Sequence, residues 1–160
     1  YYLDESGYMV QDCFLEMNGK EYHFDDDGVM ACRKFVRRAG KIYYYGKYGT
    51  KVADQFITIA GKEYYLDEQG VLMRNTMFDV DNNTYYADAN GVLATQKKVK
   101  YRGHIYYFGK YSTMVRNKKV RIQGAAYYFG PDGQMYTSMK TTIGKKTYQI
   151  DSEGKMKIVK

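Results

Sequence analysis

The chain has 160 residues, among them 20 Tyr, 7 Phe, 1 Pro and no Trp, and a formal charge of +7. Leu, Ile, Val and Phe number only 31 together, which in a charged chain borders on the composition of disorder. The Tyr and 9 Met residues restore a supply of large side chains, so the expectation is an ordered, thin, half-wet core rather than one aliphatic centre. Membrane insertion is disfavoured, because no run approaches the ~18 apolar residues of a spanning helix.

In chain order, one pattern recurs. Tyr1, Tyr22, Tyr43, Tyr64, Tyr85, Tyr106, Tyr127 and Tyr148 are spaced 21 residues apart without a gap. Setting this Tyr at position 4 of a 21-residue repeat gives a partial repeat at 1–18. Further repeats begin near 19, 40, 61, 82, 103, 124 and 145. The start on Tyr1-Tyr2, with neither initiator Met nor signal-like stretch, reads as a fragment of a longer protein. Position 5 holds Tyr2, His23, Tyr44, Tyr65, Tyr86, Tyr107, Tyr128 and Gln149. Position 10 is Gly except at Ser112, and position 12 is apolar except at Lys51. So strict a period predicts one linear array over 1–160.

Within each repeat, positions 3–6 are β-prone, as in Ile42-Tyr43-Tyr44-Tyr45. Positions 7–10 read as a turn, as in Asp67-Glu68-Gln69-Gly70, with Asp bonding its own backbone and Gly supplying positive φ. Positions 11–14 are expected to return as the second strand of the hairpin. Positions 17–20 alternate, as at Ile57 and Ile59, and could add a third strand or line a connector. Gly near position 1 then breaks the run. The predicted class is all-β: a solenoid of about eight tandem β-hairpins. Five Leu are too few for leucine-rich repeats, and the alternation excludes helical repeats. Repeats three apart resemble each other, as do residues 40–50 and 103–113, which fits three hairpins per superhelical turn or duplication of a three-repeat block.

The segment Gly61-Lys62-Glu63-Tyr64-Tyr65-Leu66-Asp67-Glu68-Gln69-Gly70-Val71-Leu72 resembles the bacterial cell-wall-binding repeat, with its G-K-W-Y-Y-F-D-x-x-G-x-M pattern. Choline-binding, glucan-binding and clostridial-toxin repeats share that pattern. The resemblance implies a left-handed superhelix with three hairpins per turn, on a secreted or cell-wall-associated protein of a Gram-positive bacterium. In choline-binding relatives, Trp at positions 3 and 16, with a Tyr and a Met, cages a quaternary ammonium. Here position 3 is Glu21, Ile42, Glu63, Thr84, Ile105, Ala126 and Thr147, and position 16 includes Cys13, Lys34, Gln55, Thr76, Lys97, Lys118 and Met139. Cation–π attraction is strongest on Trp, so its absence argues against choline.

Charge is segregated. Residues 1–32 hold 8 acids and 1 base; residues 33–51 hold 7 bases and no acid; residues 89–131 hold 9 bases and no acid. Arg37, Arg38, Lys98, Lys100 and Arg121 are candidate contacts to a polyanion such as teichoic acid; a solvated, solubilising surface explains the same charges. Nucleic acid is disfavoured. No catalytic constellation, metal set or cofactor motif is present, and the carboxylates of Asp25-Asp26-Asp27-Gly28 read as turn formers. Cys13 and Cys32 read as free thiols, with a single bridge as the alternative.

The function expected is a non-catalytic attachment module for cell-wall glycan or other carbohydrate. Its candidate contacts are Tyr44, Tyr65, Tyr86, Tyr107 and Tyr128, with the turn residues Tyr48 and Tyr111. Position 4, Tyr in all eight repeats, is expected to form the core, and position 5 is preferred for binding because it faces away from position 4. The alternative is a spacer or an adhesin that binds a host protein, and end-to-end dimers are compatible with an open array.

Overall fold

The computed structural model describes residues 1–159. Its regular structure is all β, in tandem hairpins of five-residue strands. β1 (Cys13–Met17) pairs with β2 (Lys20–Phe24), β3 (Lys34–Arg38) with β4 (Lys41–Tyr45), and β5 (Gln55–Ile59) with β6 (Lys62–Leu66). β7 (Thr76–Val80) pairs with β8 (Asn83–Ala87), β9 (Lys97–Tyr101) with β10 (His104–Phe108), and β11 (Lys118–Ile122) with β12 (Ala125–Phe129). The last sheet has three strands, β13 (Met139–Ile143), β14 (Lys146–Ile150) and β15 (Met156–Ile158). Contacts group the chain into an N-terminal block, residues 1–75 with 87–92, and a C-terminal block, residues 76–86 with 93–160.

The hairpin sits half a repeat away from where the sequence reading put it. Positions 16–20 form its first strand and positions 2–6 its second, with position 18 opposite position 4, as in Val36↔Tyr43 and Val120↔Tyr127. The glycine near position 1 does not separate hairpins; it is the tip of one. Asn18 and Gly19 have φ of 50° and 69°, and Ala39 and Gly40 have 47° and 76°. Positive φ at both central residues is the signature of the I′ turn, whose twist matches the strands it joins.

Positions 7–10 form the expected turn. Asp67 Oδ1 accepts the amides of Gln69 and Val71, at 3.0 and 2.7 Å, and Asp88 and Asp151 repeat the pattern. The segment after the turn returns only as a bridge, such as Phe24↔Met30 or Phe108↔Met114. It becomes a full strand once, as β15. A residue at position 15 then takes positive φ in seven repeats, among them Arg33, Asp54 and Gln96. Its amide bonds the position-7 carbonyl of the following repeat, as Gln96 does to Gly109 at 3.1 Å.

The innermost residue is at position 6, not position 4. Phe24, Tyr45, Leu66, Ala87, Phe108, Phe129 and Ile150 are all at most 2% exposed. Position 4 is half-buried at Tyr43, Tyr64 and Tyr106 and buried at Tyr127 and Tyr148. Packing is local: separate clusters form around Tyr45, around Phe108 and around Phe129. Within each block the amide of position 12 bonds the position-3 carbonyl of the preceding hairpin, as Leu72 does to Ile42 and Met135 to Ile105, both at 2.7 Å. The position-10 glycine makes that stacking possible. A Cβ on Gly49 would lie 2.6 Å from the Met30 sulfur, and its φ of 75° already disfavours a side chain.

Candidate functional site

Position 5 faces away from position 4, but the next hairpin covers that face. Tyr107 packs on Phe129, with ring centroids 5.7 Å apart, and Tyr86 on Phe108 at 6.1 Å and on Tyr101 at 5.7 Å. Tyr44 leans on Phe35 at 5.0 Å, and Tyr128 on Tyr136 at 5.2 Å. Tyr44, Tyr86, Tyr107 and Tyr128 are half-buried, whereas Tyr65 is buried. The Tyr65 hydroxyl donates to Asp54 Oδ1 at 2.7 Å. Burial, then the Asp54 hydrogen bond and charge, push its ionisation up to about 12. Tyr48 and Tyr111 differ: they stand on turns, 75% and 76% exposed, each with a lysine near its ring, Lys47 and Lys110.

Two open clefts carry mixed linings. In the N-terminal block, a cleft of about 570 Å³ places Tyr44 beside Val52, Ile57 and Ile59, with Arg33, Lys47, Gln55 and Thr58 also in its wall. In the C-terminal block, a cleft of about 380 Å³ lies between the β7–β8 and β9–β10 hairpins. Thr76 and Thr84 hold positions 16 and 3 there, and Tyr106 and Met114 supply the Tyr and Met. These are the positions at which the resemblance implies a cage, with two threonines standing where two Trp rings would be.

The space those rings would fill is crossed by charge from the chain itself. Thr84 is 7% exposed and donates its hydroxyl to Asp79; Arg116 donates to Thr84 Oγ1 at 2.7 Å. One hairpin on, Lys98 lies 4.3 Å from the centre of the Tyr127 ring, and in the next Lys119 lies 5.6 Å from that of Tyr148. The first junction of the N-terminal block has Glu21 at position 3. Glu21 accepts the Tyr45 hydroxyl at 2.7 Å and Lys51 Nζ at 3.1 Å, with Arg38 at 3.9 Å. Burial works to raise the Glu21 pKa, but these hydrogen bonds and cations outweigh it and hold the group below its ordinary value. Burial and Glu21 in turn push the Tyr45 phenol up.

The candidate polyanion contacts are all exposed. Arg38 also lies 4.1 Å over the Phe14 ring, and Arg121 reaches the Gly124 carbonyl at 3.4 Å. Lys98, Lys100, Lys119 and Arg121 fall at positions 17 and 19, on the strand face that carries position 5. Cys13 is half-buried and Cys32 exposed, both as free thiols. Sequence reasoning missed two connected sets, Glu21 with Tyr45 and Lys51, and Thr84 with Asp79 and Arg116. The only signal was that position 3 varied while position 4 did not.

Residues 14–30, 54–72 and 78–93 match the family model of the putative cell wall binding repeat. No curated protein matches in sequence. Among solved structures, the modular autolysin LytC of Streptococcus pneumoniae, in complex with a synthetic peptidoglycan ligand, is 27% identical. It superimposes with a TM-score of 0.76 over 98% of this chain and 35% of that one. The choline-binding domain of CbpL from the same species is 24% identical, with a TM-score of 0.70 over 98% and 81%. ASR alternansucrase in complex with isomaltononaose is 26% identical, with a TM-score of 0.53 over 97% and 14%. The chain spans 35% to 48% of the length of the first pneumococcal chains it resembles. Three segments of the chain thus match the cell wall binding repeat, and along its length the chain has a hairpin fold like that of pneumococcal choline-binding domains.

Proposed function

We propose that the chain is a non-catalytic attachment module that holds cell-wall polymer or other carbohydrate in tyrosine-bearing clefts, without choline. The observation that carries this reading is the Tyr44 cleft, where a ring and three aliphatic side chains share a wall with Arg33, Lys47, Gln55 and Thr58. A pyranose presents C–H groups to such a ring and hydroxyls to such a wall. A neutral sugar loses little on desolvation there, whereas a cation would meet Arg33 and Lys47. The similarity to proteins solved with a peptidoglycan ligand and with isomaltononaose supports the same ligand class. Weak sites repeated along one chain add up through effective concentration. The basic residues Arg37, Lys100 and Arg121 add long-range attraction to an anionic wall polymer, which salt would screen.

Co-sedimentation with purified Gram-positive cell walls tests the reading. The chain is expected to pellet with walls, resist release by choline, and pellet less as Tyr44→Ser, assayed well below that variant's melting temperature. Release by choline, or failure to pellet at all, contradicts it.

A further inference from the structure

Position 12 ties the stack in both directions. Its amide bonds backward, as Met114 does to the Thr84 carbonyl at 2.8 Å. Its side chain reaches forward onto the position-10 glycine of the next repeat. A Cβ on Gly28 would lie 2.9 Å from the Met9 sulfur, and a Cβ on Gly133 would lie 2.6 Å from that of Met114, as at Gly49 and Met30. Met135 makes the same contact on Gly154, with its sulfur at 3.0 Å. Leu72 makes it on Gly91 through carbon, at 2.8 Å. Among the described residues, four such joints therefore rest on a methionine, two in each block, and one on a leucine.

We propose that Met30 and Met114 are oxidation sites, and that their sulfoxides open the joints on Gly49 and Gly133. Both side chains are half-buried, so solvent reaches part of each. Hydrogen peroxide completes the reaction. A sulfur lone pair attacks one peroxide oxygen, the O–O bond breaks, and after proton transfer water leaves. Sulfur is oxidised to the sulfoxide and the peroxide is reduced to water. A thioether packs as a soft apolar group, whereas a sulfoxide carries a strongly polar oxygen on a pyramidal sulfur. The joint has no slack for that oxygen, and the glycine amides are not free to bond it. The amide of Gly49 already donates to the Gly46 carbonyl at 3.1 Å, and that of Gly133 to the Gly130 carbonyl at 3.0 Å. Covering a polar oxygen without a donor is costly, so the side chain turns to water and leaves its glycine. At Met114 the same movement strains the amide bond to Thr84, which ties in the hairpin before. Met135 is buried and reacts later. Leu72 has no sulfur, so its joint on Gly91 is immune. The response belongs to the stacking of the array and holds whatever the clefts bind.

Peroxide titration of the unmodified chain, read by peptide mass mapping and amide hydrogen exchange, tests this directly. Sulfoxide at Met30 and Met114 is expected to quicken exchange about tenfold at the Gly49 and Gly133 amides and to leave Gly91 unchanged. Methionine sulfoxide reductases of both stereospecificities should then restore the original rates. Met30→Leu and Met114→Leu, which copy the joint at Leu72, should each abolish the response at their own turn. Met139 gauges the dose, since it is 37% exposed and stands in a strand at position 17. If Met139 is fully oxidised while Met30 and Met114 stay reduced, they are not oxidation sites and the proposal falls. If both form sulfoxide and exchange at Gly49 and Gly133 does not change, the joints tolerate the oxygen and the proposal is wrong. If the leucine variants loosen under peroxide as the unmodified chain does, another methionine carries the effect, which also overturns it.

Discussion

The two blocks solve one packing problem with different chemistry. Position 17 stands opposite position 5 across every hairpin. In the N-terminal block it is Phe, and the pairs are Phe14↔His23, Phe35↔Tyr44 and Phe56↔Tyr65, with ring centroids 4.5, 5.0 and 4.7 Å apart. In the C-terminal block position 17 is Met at Met77 and then Lys three times, opposite Tyr107, Tyr128 and Gln149. Lys98 and Lys119 reach onto the position-4 tyrosine of the following hairpin instead. A ring in that slot packs by area and shape. A lysine there covers a neighbouring ring with its chain and places its charge on the ring face. The repeat therefore tolerates a change from apolar to cationic at one position, provided an aromatic ring waits one hairpin on.

Removing what the blocks share should cost most. Phe108→Ala empties a fully buried position-6 site and is expected to cost about 3–5 kcal/mol, read by chemical denaturation; a cost under about 1 kcal/mol would mean position 6 is not the core. The block-specific contacts come next. Phe35→Ala should cost about 2 kcal/mol at any ionic strength. Lys98→Ala should cost about 0.5–1 kcal/mol, shrinking as salt is added. Equal salt dependence for the two variants would erase the distinction between the blocks.

Titration should also separate them. The Glu21 pKa is depressed, so its contribution is present above the ordinary carboxylate pKa of about 4.3 and lost as pH falls through the folded value. The Tyr65 pKa is raised, so its contribution is present below the ordinary phenol pKa of about 10 and lost as pH climbs towards about 12. Both groups lie in the N-terminal block. Hydrogen exchange is expected to quicken first in β1–β6 at both extremes; equal loosening of β9–β14 would contradict this. The smallest effect belongs to the hairpin tips. Ala39 holds φ of 47°, and Ala39→Asn should raise stability by up to about 1 kcal/mol, seen as a higher melting temperature.

The period, the all-β class and the Asp-Gly turns were legible because each is written in residue types that recur at one spacing. The placement of the hairpin was not. Asn18-Gly19 is a strong hairpin-tip signal, yet Ala39-Gly40 and Arg102-Gly103 do not look like one, since Ala and Arg rarely take positive φ. The left-handed residue at position 15 was hidden for the same reason: Arg33, Asp54 and Gln96 share only polarity. Position 6 was overlooked because its identity drifts from Tyr45 to Ala87 to Ile150, while the uniform Tyr at position 4 drew attention. The covered face of position 5 could not be read from one strand, because burial there depends on the next hairpin. The missing Trp was legible at once. What replaces it, a threonine wired to Asp79 and Arg116, needed three repeat positions and two hairpins to come together.

The proposed exclusion of a quaternary ammonium rests on two junctions lined by the chain's own charged side chains, Lys51 and Arg38 on Glu21 in one, Asp79 and Arg116 on Thr84 in the other. Thermal unfolding in rising choline concentration tests it most directly, with an equal ionic strength of sodium chloride as the control. Superimposable melting curves are expected for the two salts. A melting temperature that climbs with choline and saturates, beyond the sodium chloride control, would contradict it.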